Sequence, residues 1–525
     1  MKKFTSLFAL IAVLSLAGCG KSPKKDDFCK THTGDFEIPT INVDELKITL
    51  PTMPIPDTTS AVKNDGTYDY IDLYELSDLH GAIDYLKDDE DTQFGLPRLA
   101  SFMQAKRNEN KGTILISGGD MWQGSCESNL TRGKLMTESM RYLGFDCMTL
   151  GNHEFDWTSS IIEKNKSYFG DELPYLCGNL VDTQTGSRPS FVKGSIVVER
   201  GGYKVGIVGT MGAIQKSIAK KAFANYSLTP SKDYIESEAL RLRNEEHCDF
   251  VVWSSHEDCE TMYISNPSNI DAAFGGHEHK VVNKKNGSVP YIETDKYGRN
   301  LAHVSLKIDP ATKQLVEATG EVIDGAAVDN SAEDSNLVNL INQYRVETDK
   351  VKKVEISKVS GEFKQTNELA NVCVKAMYEI AKDSEHPENN PIVALTNGDG
   401  GVRAPLNSGV ITYGDVYQAF PFDNELVTYA VKGNQVEDLL TSKLKSLNIY
   451  HENIKYSQLD GSKTYYFVMT DFIATNYLKL NESKYTQLDL VCRDVVAKYI
   501  AKNCGMKASS YDTYSVSNFA LPTRN

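Results

Sequence analysis

From Tyr68 onward, short β-branched or apolar runs alternate with stretches whose apolar positions recur at helical spacing. The runs at 70–76, 113–117, 147–150, 204–209, 250–254 and 272–274 predict strands, and 96–107 and 232–246 predict helices between them. Strand and helix in alternation point to an α/β layered domain, placed at 67–330. Leu337, Val338, Leu340, Ile341 and Tyr344 follow a charged stretch at helical spacing, which predicts a connecting helix over 331–353. A second α/β (α+β) region is expected over 354–525. Before Tyr68 no apolar period is sustained. Residues 19–66 are polar, with Pro51, Pro54 and Pro56 close together, and read as a flexible tether.

A chain of 525 residues exceeds what one hydrophobic core organises, so two folded units are expected on length alone. At the start, Lys2 and Lys3 precede an apolar run from Leu7 to Leu16, and Leu16-Ala17-Gly18-Cys19 follows. That is the layout of an export signal over 1–18, too short to span a bilayer and remain there. It also resembles the lipobox of bacterial lipoproteins, which implies cleavage before Cys19, acylation of that residue, and a lipid anchor on the outer side of the cell envelope. An ordinary signal peptide with an incidental cysteine fits the same residues.

The formal charge of −15 becomes more negative once Lys2 and Lys3 are removed. With no Lys/Arg stripe to release counterions, a nucleic acid polymer is excluded as a partner. A small anionic substrate remains compatible if metal ions supply the local positive charge. Besides Cys19, nine cysteines remain, with no C-x-x-C pair. Several lie in apolar runs, where buried free thiols are expected.

Five short motifs follow predicted strands: Asp78-Leu79-His80-Gly81, Gly118-Gly119-Asp120, Gly151-Asn152-His153-Glu154-Phe155-Asp156, Ser255-His256, and Gly275-Gly276-His277-Glu278-His279. In an open α/β sheet, ligands bind beyond the carboxyl ends of the strands, so these motifs are placed to converge. Taken singly, D-x-H fits a capped turn as well as a ligand pair, and Gly-Asp carries less still. Two imidazoles beside paired glycines fit a metal about as well as not.

Together and in this order they resemble the calcineurin-like metallophosphoesterases. The flanks 119–125, 148–157 and 289–306 bring the resemblance closer to the bacterial 5'-nucleotidase and UDP-sugar hydrolase family. This implies a four-layer α/β sandwich binding two divalent metal ions, Zn, Mn, Co or Fe. Asp78, His80 and His279 would hold the first ion, Asn152, His256 and His277 the second, and Asp120 would bridge them. Oxygen and imidazole donors without thiolate suit such ions. The resemblance further implies that His153, oriented by Asp156, contacts the phosphoryl group or protonates the leaving oxygen, and that Asn179 contacts phosphate. A structural histidine and a turn-forming asparagine are the plainer readings of His153 and Asn179.

In the second region, Asn397 to Arg403, Pro421-Phe422 and the strand after them are similar to the 5'-nucleotidase C-terminal domain. There Asn397 and Arg403 would contact a small phosphorylated substrate, a nucleotide in this family, and Phe422 would stack on its base, although a buried core phenylalanine fits Phe422 equally well. Three departures stand out. One extra residue separates Asn397 from Arg403, no arginine lies between Lys364 and Asn371, and the family's second aromatic glycine loop is absent, with Tyr477 the nearest substitute. The pocket is therefore expected to be remodelled. A 2',3'-cyclic phosphodiesterase, a UDP-sugar pyrophosphatase, a sulfur-oxidation hydrolase and, in another class, a non-catalytic surface-binding lipoprotein stay open beside a 5'-nucleotidase.

Overall fold

The computed structural model describes residues 28–31, 37, 40–53, 57–87, 92–382, 391–444, 446–451 and 459–511. The export signal and Cys19 lie outside the described residues.

Two sheets face each other in the N-terminal domain. One runs Leu315–Asp324, Asn300–Ile308, Asp69–Leu76, Thr113–Ser117, Cys147–Thr149, Tyr175–Leu176. Its last four strands are parallel, and the first two add antiparallel. The other runs Val282–Asn286, Val289–Glu293, Ala272–Phe274, Phe250–His256, Tyr203–Met211, Ser195–Arg200, parallel except at its edges.

The two-residue period of a strand explains the layers. Ile71, Leu73, Ile114, Ile116, Val205 and Ile207 fill the space between the sheets. Tyr74, Leu76 and Leu115 point the other way, to the core shared with helices Leu96–Glu109, Lys134–Leu143 and Ser335–Lys352. Val208, Val251 and Trp253 pack under helices Ser231–Asn244 and Cys259–Ser265. The result is a helix–sheet–sheet–helix sandwich, and strands buried on both faces read as continuous apolar runs.

Helix Ser335–Lys352 packs Leu337, Leu340, Ile341 and Tyr344 on the first domain's core and Val351 on the second's. Beyond it lies a five-stranded mixed sheet in the order Asn448–Tyr450, Pro391–Thr396, Thr464–Thr470, Glu425–Lys432, Tyr485–Val491. Helices Ala370–Lys382 and Cys492–Lys502 contribute to the neighbouring core. Among the described residues, no helix is long and apolar enough to cross a membrane.

The flexible tether expected over 19–66 is corrected where that segment is described. Leu46, Ile48 and Met53 pack on the N-terminal core. Thr49 exchanges two hydrogen bonds with the Gln343 amide, at 2.7 and 3.1 Å. Lys63–Asn64 adds an edge strand to Asp69–Tyr70. Cys29 forms a disulfide with Cys504 across a separation of 475 residues. The apolar anchors are single side chains in polar surroundings and the others are individual hydrogen bonds, a two-residue strand and a disulfide, so none produces a periodic signal. The other cysteines in the described residues are buried free thiols.

Candidate metal centre and substrate cleft

The loops carrying the five motifs meet at the carboxyl ends of the parallel strands. Asp78, His80 and His279 form one group of potential ligands, and Asp120, His256 and His277 a second, each with its donor atoms within 4.8 Å of one another. The groups adjoin: Asp78 Oδ1 lies 3.3 Å from His279 Nε2 and 4.0 Å from His256 Nε2. His256 Nε2 is in turn 3.1 Å from Asp120 Oδ2.

Ring orientation follows from the outer hydrogen bonds. His256 Nδ1 donates to Gly118 O at 2.8 Å and His80 Nδ1 to Gln123 O at 3.0 Å; a carbonyl can only accept, so in the neutral ring, the form that ligates a metal, each Nε2 lone pair is free and turned inward. Asp78 Oδ2 is taken by Ser77 Oγ and the His277 amide, which leaves Oδ1 for a ligand. Five of these residues, Asp78, His80, Asp120, His277 and His279, have φ between 49° and 80°, a region that non-glycine residues rarely occupy. Such strain concentrates at functional sites.

The donors fit a pair of divalent cations. Asp78 Oδ1, His256 Nε2 and both polar atoms of the Asn152 amide are buried with no hydrogen-bond partner. An unpaired buried polar group costs about 1–3 kcal/mol, and here several converge on one point. Electrostatics agree. Burial pushes the His256 imidazole down, yet the Asp120 and Asp78 carboxylates pull it up to about 10, the mark of a hole that calls for positive charge. Burial and the neighbouring His256 push His277 down to about 4, so it is a neutral donor.

His153 stands just outside these groups. Its Nδ1 is 2.8 Å from Asp156 Oδ2, its amide donates to Asp120 Oδ1 at 2.8 Å, and its Nε2 lies 3.2 Å from Arg403 Nη2 of the second domain. Burial lowers the imidazole's pKa, but Asp156 and Asp120 outweigh it and raise it above the ordinary value. The Phe422 ring is 5.7 Å from that of His153 and 5.3 Å from the Arg403 guanidinium. A cavity of about 510 Å³ opens here between the domains, lined by Asp120, Asn152, His153, His277 and His279 on one side and by Asn397, Arg403, Phe422 and Tyr477 on the other.

Comparison with known proteins bears on this arrangement. Residues 73–281 match the calcineurin-like phosphoesterase family, and residues 313–451 match the 5'-nucleotidase C-terminal domain. The chain belongs to the metal-dependent phosphoesterases of the 5'-nucleotidase family. Protein UshA of Yersinia enterocolitica is 23% identical over 87% of this chain and 95% of its own. A 2',3'-cyclic-nucleotide 2'-phosphodiesterase/3'-nucleotidase of Salmonella typhimurium is 24% identical over 83% and 77%. Endonuclease YhcR of Bacillus subtilis is 26% identical over 71% of this chain, which spans about a third (32%) of that relative's length. In fold, the 5'-nucleotidase precursor of Thermus thermophilus aligns over 83% of this chain and 99% of its own, with a TM-score of 0.69 at 18% identity.

As a 5'-nucleotidase-family phosphoesterase, the chain departs from the sequence reading at Asn179. The Asn179 amide donates to Met211 O and Thr229 O, both at 2.7 Å, and accepts from Met211 N at 3.0 Å. Its hydrogen-bonding capacity is spent on two backbone segments and the side chain is buried, so the expected phosphate contact is corrected to a structural clamp. Glu154 was missed. It accepts from the amides of Asp120, Gly151, Met121 and Trp122 and so welds two ligand loops together; burial and Asp120 push it up to about 7. The signal lies inside the motif itself, in the glutamate beside His153. Phe472 was also passed over: it lines the cleft and meets Tyr477 edge to face at 6.2 Å. Asn476, next to Tyr477, donates to Lys216 O and Ile218 O of the first domain. The segment in place of the glycine loop thus holds the domains together as well as facing the cleft.

Proposed function

We propose that this phosphoesterase hydrolyses nucleotide phosphate esters in the manner of a 5'-nucleotidase, as an exported protein held to the cell envelope by acylation of Cys19. Asp78, His80 and His279 would hold one divalent ion, Asn152, His256 and His277 the other, with Asp120 between them, the ions being Zn, Mn, Co or Fe. The observation that carries the reading is the shared cleft, in which two ligand groups face an arginine and an aromatic ring from a second domain. When bound, two such ions polarise a phosphoryl oxygen and make a water nucleophilic near neutral pH.

The protein's own groups divide the remaining work. Asp156 fixes the His153 ring through Nδ1, so Nε2 is aimed at the position of the phosphoryl group or leaving oxygen. Arg403 presents N–H donors beside it, a fork suited to anionic or hydroxyl groups of the nucleotide beyond the scissile phosphate. Phe422 offers a flat apolar face for a planar base. Asp78 Oδ1, His256 Nε2 and Asn152 Oδ1 converge as unpaired buried ligand atoms that bound cations would relieve, which supports the hydrolytic reading over a non-catalytic binding lipoprotein.

The deciding experiment measures product formation by mature protein loaded with each metal: adenosine and phosphate from AMP, a ring-opened monophosphate from 2',3'-cyclic AMP, UMP and glucose 1-phosphate from UDP-glucose, and the free phenol from an aryl phosphate. Turnover of AMP with the highest kcat/KM supports the 5'-nucleotidase reading. A preference for the cyclic nucleotide or for UDP-glucose would move it to a cyclic phosphodiesterase or a UDP-sugar pyrophosphatase, readings favoured by the replaced glycine loop. No product from any of the four would sink it.

A further inference from the structure

Cys373 and Cys492 are 119 residues apart in sequence, yet their sulfurs lie 3.6 Å from one another in the core of the second domain. Both are buried. Cys373 stands near the start of helix Ala370–Lys382, and Cys492 opens helix Cys492–Lys502 directly after strand Tyr485–Val491. Joining the sulfurs takes about 1.5 Å of approach. The first residue of a helix is where a backbone yields most readily.

The pair backs the wall of the cleft. The Cys373 thiol touches Thr396 Oγ1 at 3.8 Å, one residue before Asn397. The Cys492 amide donates to Asn424 O at 2.8 Å, and the next residue, Arg493, donates to Phe420 O and Phe422 O at 3.3 and 3.4 Å. A void of about 10 Å³, room for a single water, adjoins Cys492, and Asn397 and Phe422 line both that void and the cleft. The sulfurs therefore meet behind the two second-domain segments that face the metal-ligand groups.

The same helix carries a disulfide already. Cys504, just past its end, is bonded to Cys29, and surroundings that oxidise those thiols also oxidise a second pair in contact. We propose that Cys373 and Cys492 are a second disulfide site, a cross-link made during oxidative folding that pins this helix at both ends and clamps the cleft wall from behind. One thiolate attacks a disulfide-bearing oxidant to give a mixed disulfide, and the other thiolate displaces the oxidant's second sulfur. The pair loses two protons and two electrons, and the oxidant leaves as two thiols.

Thiol mapping tests this on the full chain refolded in oxidised and reduced glutathione, then alkylated in denaturant and digested. Cys373 and Cys492 are expected joined, as Cys29 and Cys504 are, while Cys126, Cys147, Cys177, Cys248 and Cys259 are alkylated. In the Cys29→Ser/Cys504→Ser variant, dithiothreitol is expected to lower the melting temperature by about 5–15 °C. It should also speed amide hydrogen exchange over 396–403 and 420–425 about tenfold, with 151–156 unchanged, and adding Cys373→Ala should abolish both responses. Alkylated Cys373 and Cys492 beside a linked Cys29 and Cys504 would overturn the site. Exchange in both segments that ignores the reductant would overturn the clamp.

Discussion

Arg403 Nη2 lies 3.2 Å from His153 Nε2, a contact between residues 250 apart in sequence and on different domains. It joins the part of the cleft that handles phosphate to the part that selects what the phosphate is attached to. Arg403→Ala is expected to lower kcat/KM for AMP by about 10–100-fold, the value of one charge-assisted hydrogen bond at about 1.5–3 kcal/mol. Most of that loss should appear in KM. Turnover of a small aryl phosphate, which does not reach Phe422, should fall much less. Equal losses on the two substrates would contradict the division of roles.

Metal content is the next measurement. Elemental analysis of the purified chain should find about two divalent ions, and Asp120→Ala should lose at least one together with roughly 10³-fold or more in activity. Chelation should also lower the melting temperature. An ion at a hundred times its dissociation constant adds about 2.7 kcal/mol, equivalent to roughly 5–10 °C for a domain of this size. A chelated protein that melts where the loaded one does would argue against the site.

Gly151 tests how closely the ligand loops must approach. A Cβ there would sit 2.2 Å from Asp120 Oδ1 and 2.6 Å from the Asp120 backbone nitrogen, and neither can swing away without moving a ligand. Gly151→Ala is expected to remove most activity, about a hundredfold or more, while circular dichroism stays native, because the conflict is confined to the ligand loops. Near-normal turnover would show that Asp120 does not need its present position.

The chemistry was more legible in the sequence than the support around it. Asp78, His80, Asp120, His256, His277 and His279 announce themselves because each sits just beyond an apolar run, and strand order then brings them together. Asn179 misled because an asparagine after a strand has the same local pattern whether it faces a ligand or ties backbone segments; only the partners Met211 and Thr229, distant in sequence, decide. The strap of Leu46, Ile48 and Met53 and the bridge from Cys29 to Cys504 are long-range contacts with no local period. Asn476 belongs to the same class, since its value lies in what it reaches across the cleft.

Asp423 permits a prediction about pH and domain contact. Its carboxylate pairs with Arg132 of the first domain and, at 2.8 Å, with Arg493 of the second. Burial alone would raise its pKa, but the Arg493 and Arg132 guanidiniums outweigh it and hold the carboxyl below the ordinary value. A depressed folded-state pKa contributes stability that is complete above the unfolded value, about 3.9, and is lost as pH falls through the folded one. Asp423→Asn should therefore cost about 2–3 kcal/mol at neutral pH, and the gap between variant and wild type should close as pH drops below about 4. Denaturant melts from pH 3 to pH 7 measure that gap directly. A cost that persists unchanged at pH 3 would assign the effect to packing, and the two arginines would then not be what holds Asp423 ionised between the domains.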